Sequence, residues 1–201
     1  MSDFINTTDI LGDDAVCDGI ITKTLSEYAD NHITAIGDYV FYNCNKLRSL
    51  NLPKATSIGV FAFYGCSLMI MVELPVATLI DNYAFYNGRS LEVINVPLVT
   101  ELGKAAFRYC EKLTSIDLPS VTLMDEYAFG NCTSLTTVIL RSETMCELND
   151  TNAFLSTPIA SGTGYIYVPS SLVETYQNGE NWSTYASQIR AIEDYPDIVG
   201  G

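Results

Sequence analysis

Histidine and tryptophan occur once each in the 201 residues, as His32 and Trp182, and charged residues make up only 17% of the chain. A lone imidazole excludes a histidine-rich metal site and argues against a His-based catalytic triad. The six cysteines form no C-x-x-C pair: Cys44, Cys66, Cys110 and Cys132 stand multiples of 22 residues apart, while Cys17 and Cys146 stand alone. Zinc-ligand spacing is therefore missing, and neither a metal nor any other cofactor is expected. Gly162-Thr163-Gly164 precedes a strand pattern instead of leading a strand into a helix, so it reads as a turn and not a phosphate cradle. No window reaches the roughly 18 uninterrupted apolar residues of a membrane span, so no membrane insertion is expected. The opening MSDFINTTDILGDD has neither the basic nor the apolar region of a secretory leader. The expectation is a virion-associated protein or a trimmed piece of a surface protein. No Pro/Ser linker or low-complexity run divides the chain, which reads as one continuous domain.

Positive charge is also scarce, with ten Lys and Arg against 24 Asp and Glu, a net −14. The excess is uneven. Residues 1–31 hold seven acids against Lys23, and residues 142–201 hold eight against Arg190, while the stretch between holds nine acids and eight bases. Without a basic footprint, nucleic acid is not an expected partner. The acids Asp13-Asp14 and Asp125-Glu126 read as solvated loop charges.

What the chain has in quantity is repetition. IGDYVFYNCNKLRSLNLPKAT (36–56) recurs as IGVFAFYGCSLMIMVELPVAT (58–78), IDNYAFYNGRSLEVINVPLVT (80–100), LGKAAFRYCEKLTSIDLPSVT (102–122) and MDEYAFGNCTSLTTVIL (124–140). A fixed 22-residue period marks a solenoid, in which each unit buries its apolar side only against its neighbours. Five columns are always apolar. They run through Leu47, Leu50, Leu52, Phe41 and Ile36 of the first copy. Leu50 and Leu52 share one face of a short strand while Ser49 and Asn51 point away, so the copies lie side by side as a parallel sheet. Ile36, Val40, Phe41 and Cys44 fall at i, i+4, i+5 and i+8, which predicts one or two short helical turns on the opposite side. Pro53, Pro75, Pro97 and Pro119 end the strands. Thr56, Thr78, Thr100 and Thr122 form a structural ladder bonding the backbone. The cysteine column (44, 66, Gly88, 110, 132) reads as small buried residues with free thiols.

The ends depart from the period. Leu25, Tyr28, Ile33 and Thr34 lie 22 residues before Leu47, Leu50, Ala55 and Thr56, with Asp30 where the repeat wants Leu52. Residues 1–32 therefore read as an N-terminal cap and partial first coil, with Phe4, Ile5, Ile10, Leu11, Val16, Ile20 and Ile21 covering the first layer. Residues 33–140 are the five repeats. Residues 141–201 read as an irregular last coil and a helical cap: a bulging loop RSETMCELND, a sixth strand at Tyr165–Val168, a helix opened by Ser170, and a second helix aligning Trp182, Tyr185, Ile189 and Ile192. DYPDIVGG reads as a frayed end.

The pattern I-G-x-x-A-F-x-x-C-x-x-L-x-x-I-x-L-P-x-x-T over residues 33–140 resembles the BspA-like bacterial leucine-rich repeats, and residues 162–192 are similar to the segment that closes such arrays. The resemblance implies an α/β solenoid, a leucine-rich-repeat-like right-handed coil with a parallel sheet on one face and short helical turns on the other. It also implies a non-enzymatic recognition or attachment module on surface-exposed bacterial proteins or on proteins similar to phage tail components. The expected partner is a cell-surface protein or glycan, and the alternative is a spacer or oligomerisation unit. The contact is expected on the strand face, centred on Val93, Asn95, Ser115, Asp117, Thr137, Tyr165 and Tyr167. The tyrosines of the opposite, convex side, among them Tyr39, Tyr42, Tyr64, Tyr83 and Tyr86, form the rival face.

Overall fold

A computed structural model describes residues 10–11 and 27–199. The 22-residue period becomes the register of its strands. Glu27–Ala29, Ser49–Asn51, Met71–Glu73 and Val93–Asn95 form one parallel sheet, and Ser115–Asp117, Thr137–Ile139, Tyr165–Val168 and Ile189–Ala191 form another. Tyr28 pairs with Leu50, Leu50 with Val72, and Val72 with Ile94, each step one repeat. The column residues are buried at every coil with one exception: Ile94 is only partly covered. It lies at a seam, because Val93–Asn95 is not paired with Ser115–Asp117. The single sheet expected from the sequence is two four-stranded halves.

A third sheet was not anticipated. Two-residue strands at Ile10–Leu11, Ala35–Ile36, Ser57–Ile58, Leu79–Ile80, Glu101–Leu102, Leu123–Met124 and Glu147–Leu148 stack into seven parallel rungs that run past the seam without interruption. Ile10 pairs with Ala35, which fits the expected capping of the first coil; Phe4, Ile5, Val16, Ile20, Ile21 and Leu25 lie outside the described residues. The threonine ladder runs beside these rungs as expected. Thr56, Thr78, Thr100 and Thr122 each donate a hydroxyl hydrogen bond to the carbonyl of the residue 22 positions earlier, at 3.0, 3.2, 3.1 and 3.1 Å.

Between the two kinds of strand the chain makes linked turns, and no helix forms in the array. The buried stripe of Ile36, Val40, Phe41 and Cys44 is present, but its N–H groups do not bond four residues back along their own chain. Tyr39, Phe41 and Asn43 donate to Val60, Ala62 and Tyr64 of the next coil, at 3.0, 2.8 and 2.7 Å. Two residues in each repeat, four apart, adopt positive φ, beginning with Tyr39 (60°) and Asn43 (56°), which turns N–H groups toward the neighbouring coil and breaks any helix. The phenylalanine column then stacks at 4.9–5.6 Å from Phe41 to Phe154, with planes within 9° of parallel.

The C-terminal cap is built on three polar anchors. Trp182 Nε1 donates to the Cys146 carbonyl at 2.7 Å, the Tyr176 hydroxyl accepts from the Cys146 N–H at 2.8 Å, and the Tyr185 hydroxyl donates to the Thr151 carbonyl. The three rings are buried against Phe154 and each other. The loop after Leu140 rejoins the fold earlier than expected, since Glu147–Leu148 pairs with Leu123–Met124. Ser170 does not cap its helix through its own side chain; its N–H is taken by the Glu193 carboxylate at 3.0 Å. The predicted second helix is 3-10 turns over Trp182–Gln188, and Ile189 belongs to a strand. The expected frayed end is docked at Tyr195, whose ring meets Tyr167 at 5.4 Å.

The cysteine column corrects one expectation. Cys66, Cys110, Cys132 and Cys146 are free and buried, but Cys44 is disulfide-bonded; Cys17 lies outside the described residues. Cys66, Cys110 and Cys132 donate to the carbonyls of Phe41, Phe85 and Phe107 at 3.0, 3.4 and 3.0 Å. Gly88 fills the remaining slot, where an added Cβ would lie 3.1 Å from the Phe85 carbonyl oxygen. Burial pushes the Cys66 and Cys146 thiols up to about 12, so neither forms a thiolate near neutrality. Thiol reagent should find almost no sites in the native protein and four after denaturation without reductant. Six under those conditions would mean that Cys44 carries no disulfide.

Candidate recognition site

Alternation along each three-residue strand sends the middle side chain inward and its two neighbours outward. The outward positions form two files across the coils, and the structure divides them at the seam. On the N-terminal half, Met71 and Val93 are cross-strand partners, 42% and 47% exposed, and form an apolar step on an otherwise polar surface. Beside them Asn95 Nδ2 donates to Glu73 Oε2 at 2.8 Å. Ser49 and Asn51 continue the same files.

The C-terminal half is more occupied. Ser115 is exposed and Thr137 partly so, in register with Tyr165. Asp117 is held by Arg141, whose Nε and Nη2 both reach Oδ2 at 2.8 Å. The Arg190 guanidinium lies 4.5 Å over the Tyr165 ring. Tyr167 departs from expectation. It is buried, packed with Ile139 under Tyr165, Ile192 and Tyr195, and burial followed by the neighbouring Tyr195 raises its hydroxyl pKa. Of the seven residues predicted to form the contact, Val93 and Asn95 lie on one side of the seam and Ser115, Asp117, Thr137 and Tyr165 on the other, while Tyr167 offers no contact surface.

The turn side presents a different surface. Tyr39, Phe61 and Tyr83 stack at 5.1 and 4.8 Å, and Tyr42, Tyr64 and Tyr86 stack beside them at 4.9 Å per step. Within a coil the two rows are tilted by 50–59° with centroids 5.5–5.8 Å apart. Tyr39 is exposed and the other five rings are half-buried. In the fourth coil the rows change: Ala105 replaces one ring and Arg108 the other, its guanidinium lying 4.4 Å over Tyr127 and 5.2 Å over Tyr109. Burial, then the neighbouring Tyr109, raises the Tyr86 hydroxyl pKa.

These rings sit where backbone chemistry disfavours them. Tyr39, Phe61, Tyr83 and Tyr127 all have φ between 56° and 60°. A bulky residue in that region costs roughly 1–3 kcal/mol, while a stacked aromatic pair returns about 0.5–1.5 kcal/mol. Four residues further along, at the second positive-φ position, four of the five coils use Asn43, Gly65, Asn87 and Asn131, residues that tolerate it, and the fourth coil places Tyr109 there. Stacking at best offsets the strain, so stability alone gives little reason for aromatics in the first column. The sequence signal was visible as an aromatic in nearly every copy before the Ala-Phe pair, but the positive φ was not.

His32 is exposed, 3.3 Å from Asp30 Oδ1. Among the described residues no three His, Cys, Asp or Glu side chains cluster to hold a metal ion, and no helix is long and apolar enough to cross a membrane.

A family model for the BspA type leucine rich repeat region, with six copies, matches residues 22–136 and 56–178. The chain belongs to this family. Among solved structures it is similar to a leucine-rich repeat protein from Bacteroides ovatus, at 26% identity over 91% of this chain and 45% of that one, with a TM-score of 0.68. The leucine rich repeat protein of T. pallidum is 30% identical over 54% of this chain and 53% of that one, with a TM-score of 0.52. The pneumococcal vaccine antigen PcpA, 20% identical over 84% of this chain and 40% of that one, shares the fold with a TM-score of 0.66. The chain spans about half the length of the solved relatives or less. No curated protein sequence matches it.

Proposed function

We propose that this BspA-type repeat chain is a non-enzymatic recognition and attachment module that binds a protein or glycan on a cell surface through its strand face. Residues 33–140 carry the array, and residues 1–32 and 141–201 close its two ends. The observation that supports this reading most directly is the exposed Met71–Val93 pair beside Asn95 and Glu73. Parallel pairing holds the backbone beneath it, so a partner meets side chains from several coils without ordering a loop. An exposed apolar step with polar neighbours matches the anatomy of an interface core and rim. Ser115, Thr137, Asp117 and Tyr165 extend the contact across the seam. Membership of the BspA type repeat family supports a surface setting.

Labelled protein applied to a glycan array and to bacterial and host cells tests the reading. Met71→Asp combined with Val93→Asp places two charges in the proposed core and should weaken binding by at least about 1–2 kcal/mol, roughly tenfold. Both side chains are exposed, so the fold should be retained, which circular dichroism checks. Saturable binding that ignores the double substitution would move the site off this face. Absence of binding to any surface would favour a spacer.

A further inference from the structure

The aromatic strip on the turn side is the largest feature that the strand-face reading leaves unused. Its rings are stacked face to face along the array, so each face is covered by the ring of the next coil and what reaches solvent is a series of ring edges. A sugar needs an open ring face to stack upon, and this surface offers few. What it does offer is two parallel rows of aromatic ridges, ending in a guanidinium at Arg108.

Ridges of this kind suit a stiff chain with a matching period. Rings repeat every 4.8–5.1 Å, so two steps span about 10 Å, close to the roughly 9 Å of one three-residue turn of a polyproline II helix. An extended strand repeats every two residues at about 6.7 Å and falls out of phase by the second ridge. Polyproline II segments dock on aromatic-lined surfaces because they are already ordered and lose little entropy on binding. Proline rings rest against ring edges, and phenol hydroxyls donate to the peptide carbonyls that such a helix leaves free. Arg108, which donates to Asn131 Oδ1 at 3.4 Å, is a cation at the end of the strip that forms no ion pair with an acid among the described residues, whereas nearby Lys104 is paired with Glu126 at 2.6 Å, and it favours an acidic residue on the partner.

We propose that this strip is a second binding surface, for a proline-rich peptide segment with an acidic residue at one end, seated on Tyr42, Tyr64 and Tyr86 with its acid at Arg108. The surface is distinct from the strand face, so failure of either reading leaves the other standing.

The probe is a fluorescein-labelled decaproline carrying two glutamates at one end, made with the pair at either end, and compared with glutamine-ended controls by fluorescence anisotropy on the full chain. One glutamate orientation should bind saturably and more tightly than its glutamine control. Tyr64→Leu with Tyr86→Leu keeps apolar bulk and should weaken binding at least tenfold. Arg108→Gln should weaken the glutamate-ended peptide at least fivefold and leave the glutamine-ended one within twofold. Should the leucine substitutions disturb the fold, Arg108→Gln and chemical-shift changes of the tyrosine rings in the unaltered chain still decide the matter. No saturable binding, binding indifferent to both variants, or displacement of the tyrosine signals by a linear oligosaccharide but not by the peptide would overturn the proposal.

Discussion

Phe85→Ala should lower stability by about 3–5 kcal/mol, while Ser115→Ala should change it by less than about 0.5 kcal/mol. Phe85 is fully buried and stacked between Phe63 at 5.1 Å and Phe107 at 5.3 Å, with both planes within 5° of its own. Removing the ring forfeits its transfer free energy and leaves a cavity that the rungs on either side cannot close, because their spacing is set by two ladders of backbone hydrogen bonds. The hydrogen bonds from Phe63 N–H to the Ala84 carbonyl and from Phe85 N–H to the Ala106 carbonyl hold the neighbouring coils apart at this point. Ser115 instead occupies an exposed outward position on its strand. Denaturant midpoints measured for both variants check the contrast, and equal losses would overturn the assignment of the phenylalanine column to the core.

The columns could be read in advance because a solenoid ties each sequence position to a fixed depth: a residue apolar in five copies can only be facing the shared core. That reasoning places Phe41, Leu47 and Leu52 without knowledge of the third dimension. It is weaker where two geometries share one spacing. Ile36, Val40, Phe41 and Cys44 would make a buried stripe on a helix, and they make the same stripe on linked turns; only the destination of the Tyr39, Phe41 and Asn43 N–H groups separates the two. The two-residue strands at Ser57–Ile58 and its equivalents are too short to carry a periodic signal, so their sheet was illegible.

Contacts between distant segments were equally hidden. Strand alternation sends Tyr167 outward, and nothing local shows that Tyr195 comes back to cover it. For the same reason the exposed part of the strand face shifts toward Met71 and Val93. Spacings of three and four made Ile189 look helical, yet pairing of Ile189 with Ile166 draws it into the sheet.

Truncation after Leu140 should turn the chain into aggregating protein. The final coils do not close themselves. Phe129 donates its N–H to the Ala153 carbonyl at 2.8 Å, and Leu140 donates to the Tyr167 carbonyl at 2.8 Å, so removing the tail strips hydrogen-bond partners from buried backbone. It also uncovers Phe129, which Phe154 stacks upon at 5.6 Å, and the Val138 rung, which Ile166 covers. A parallel sheet then ends in a flat unpaired edge flanked by an apolar layer, the arrangement that invites chain-to-chain pairing. The native tail ends the stack with Tyr176, Trp182 and Tyr185, large rings that present carbon to Phe154 and direct their polar atoms to the Cys146 N–H, the Cys146 carbonyl and the Thr151 carbonyl. The same groups predict a graded version. Trp182→Phe keeps most of the apolar cover but leaves the buried Cys146 carbonyl without its 2.7 Å donor, and should cost about 1–3 kcal/mol without causing aggregation. Size-exclusion chromatography with light scattering, and thermal melts of both variants, provide the measurement. A truncated chain that does not aggregate and melts like the full one would show that residues 141–201 are an appendage and that the array closes itself.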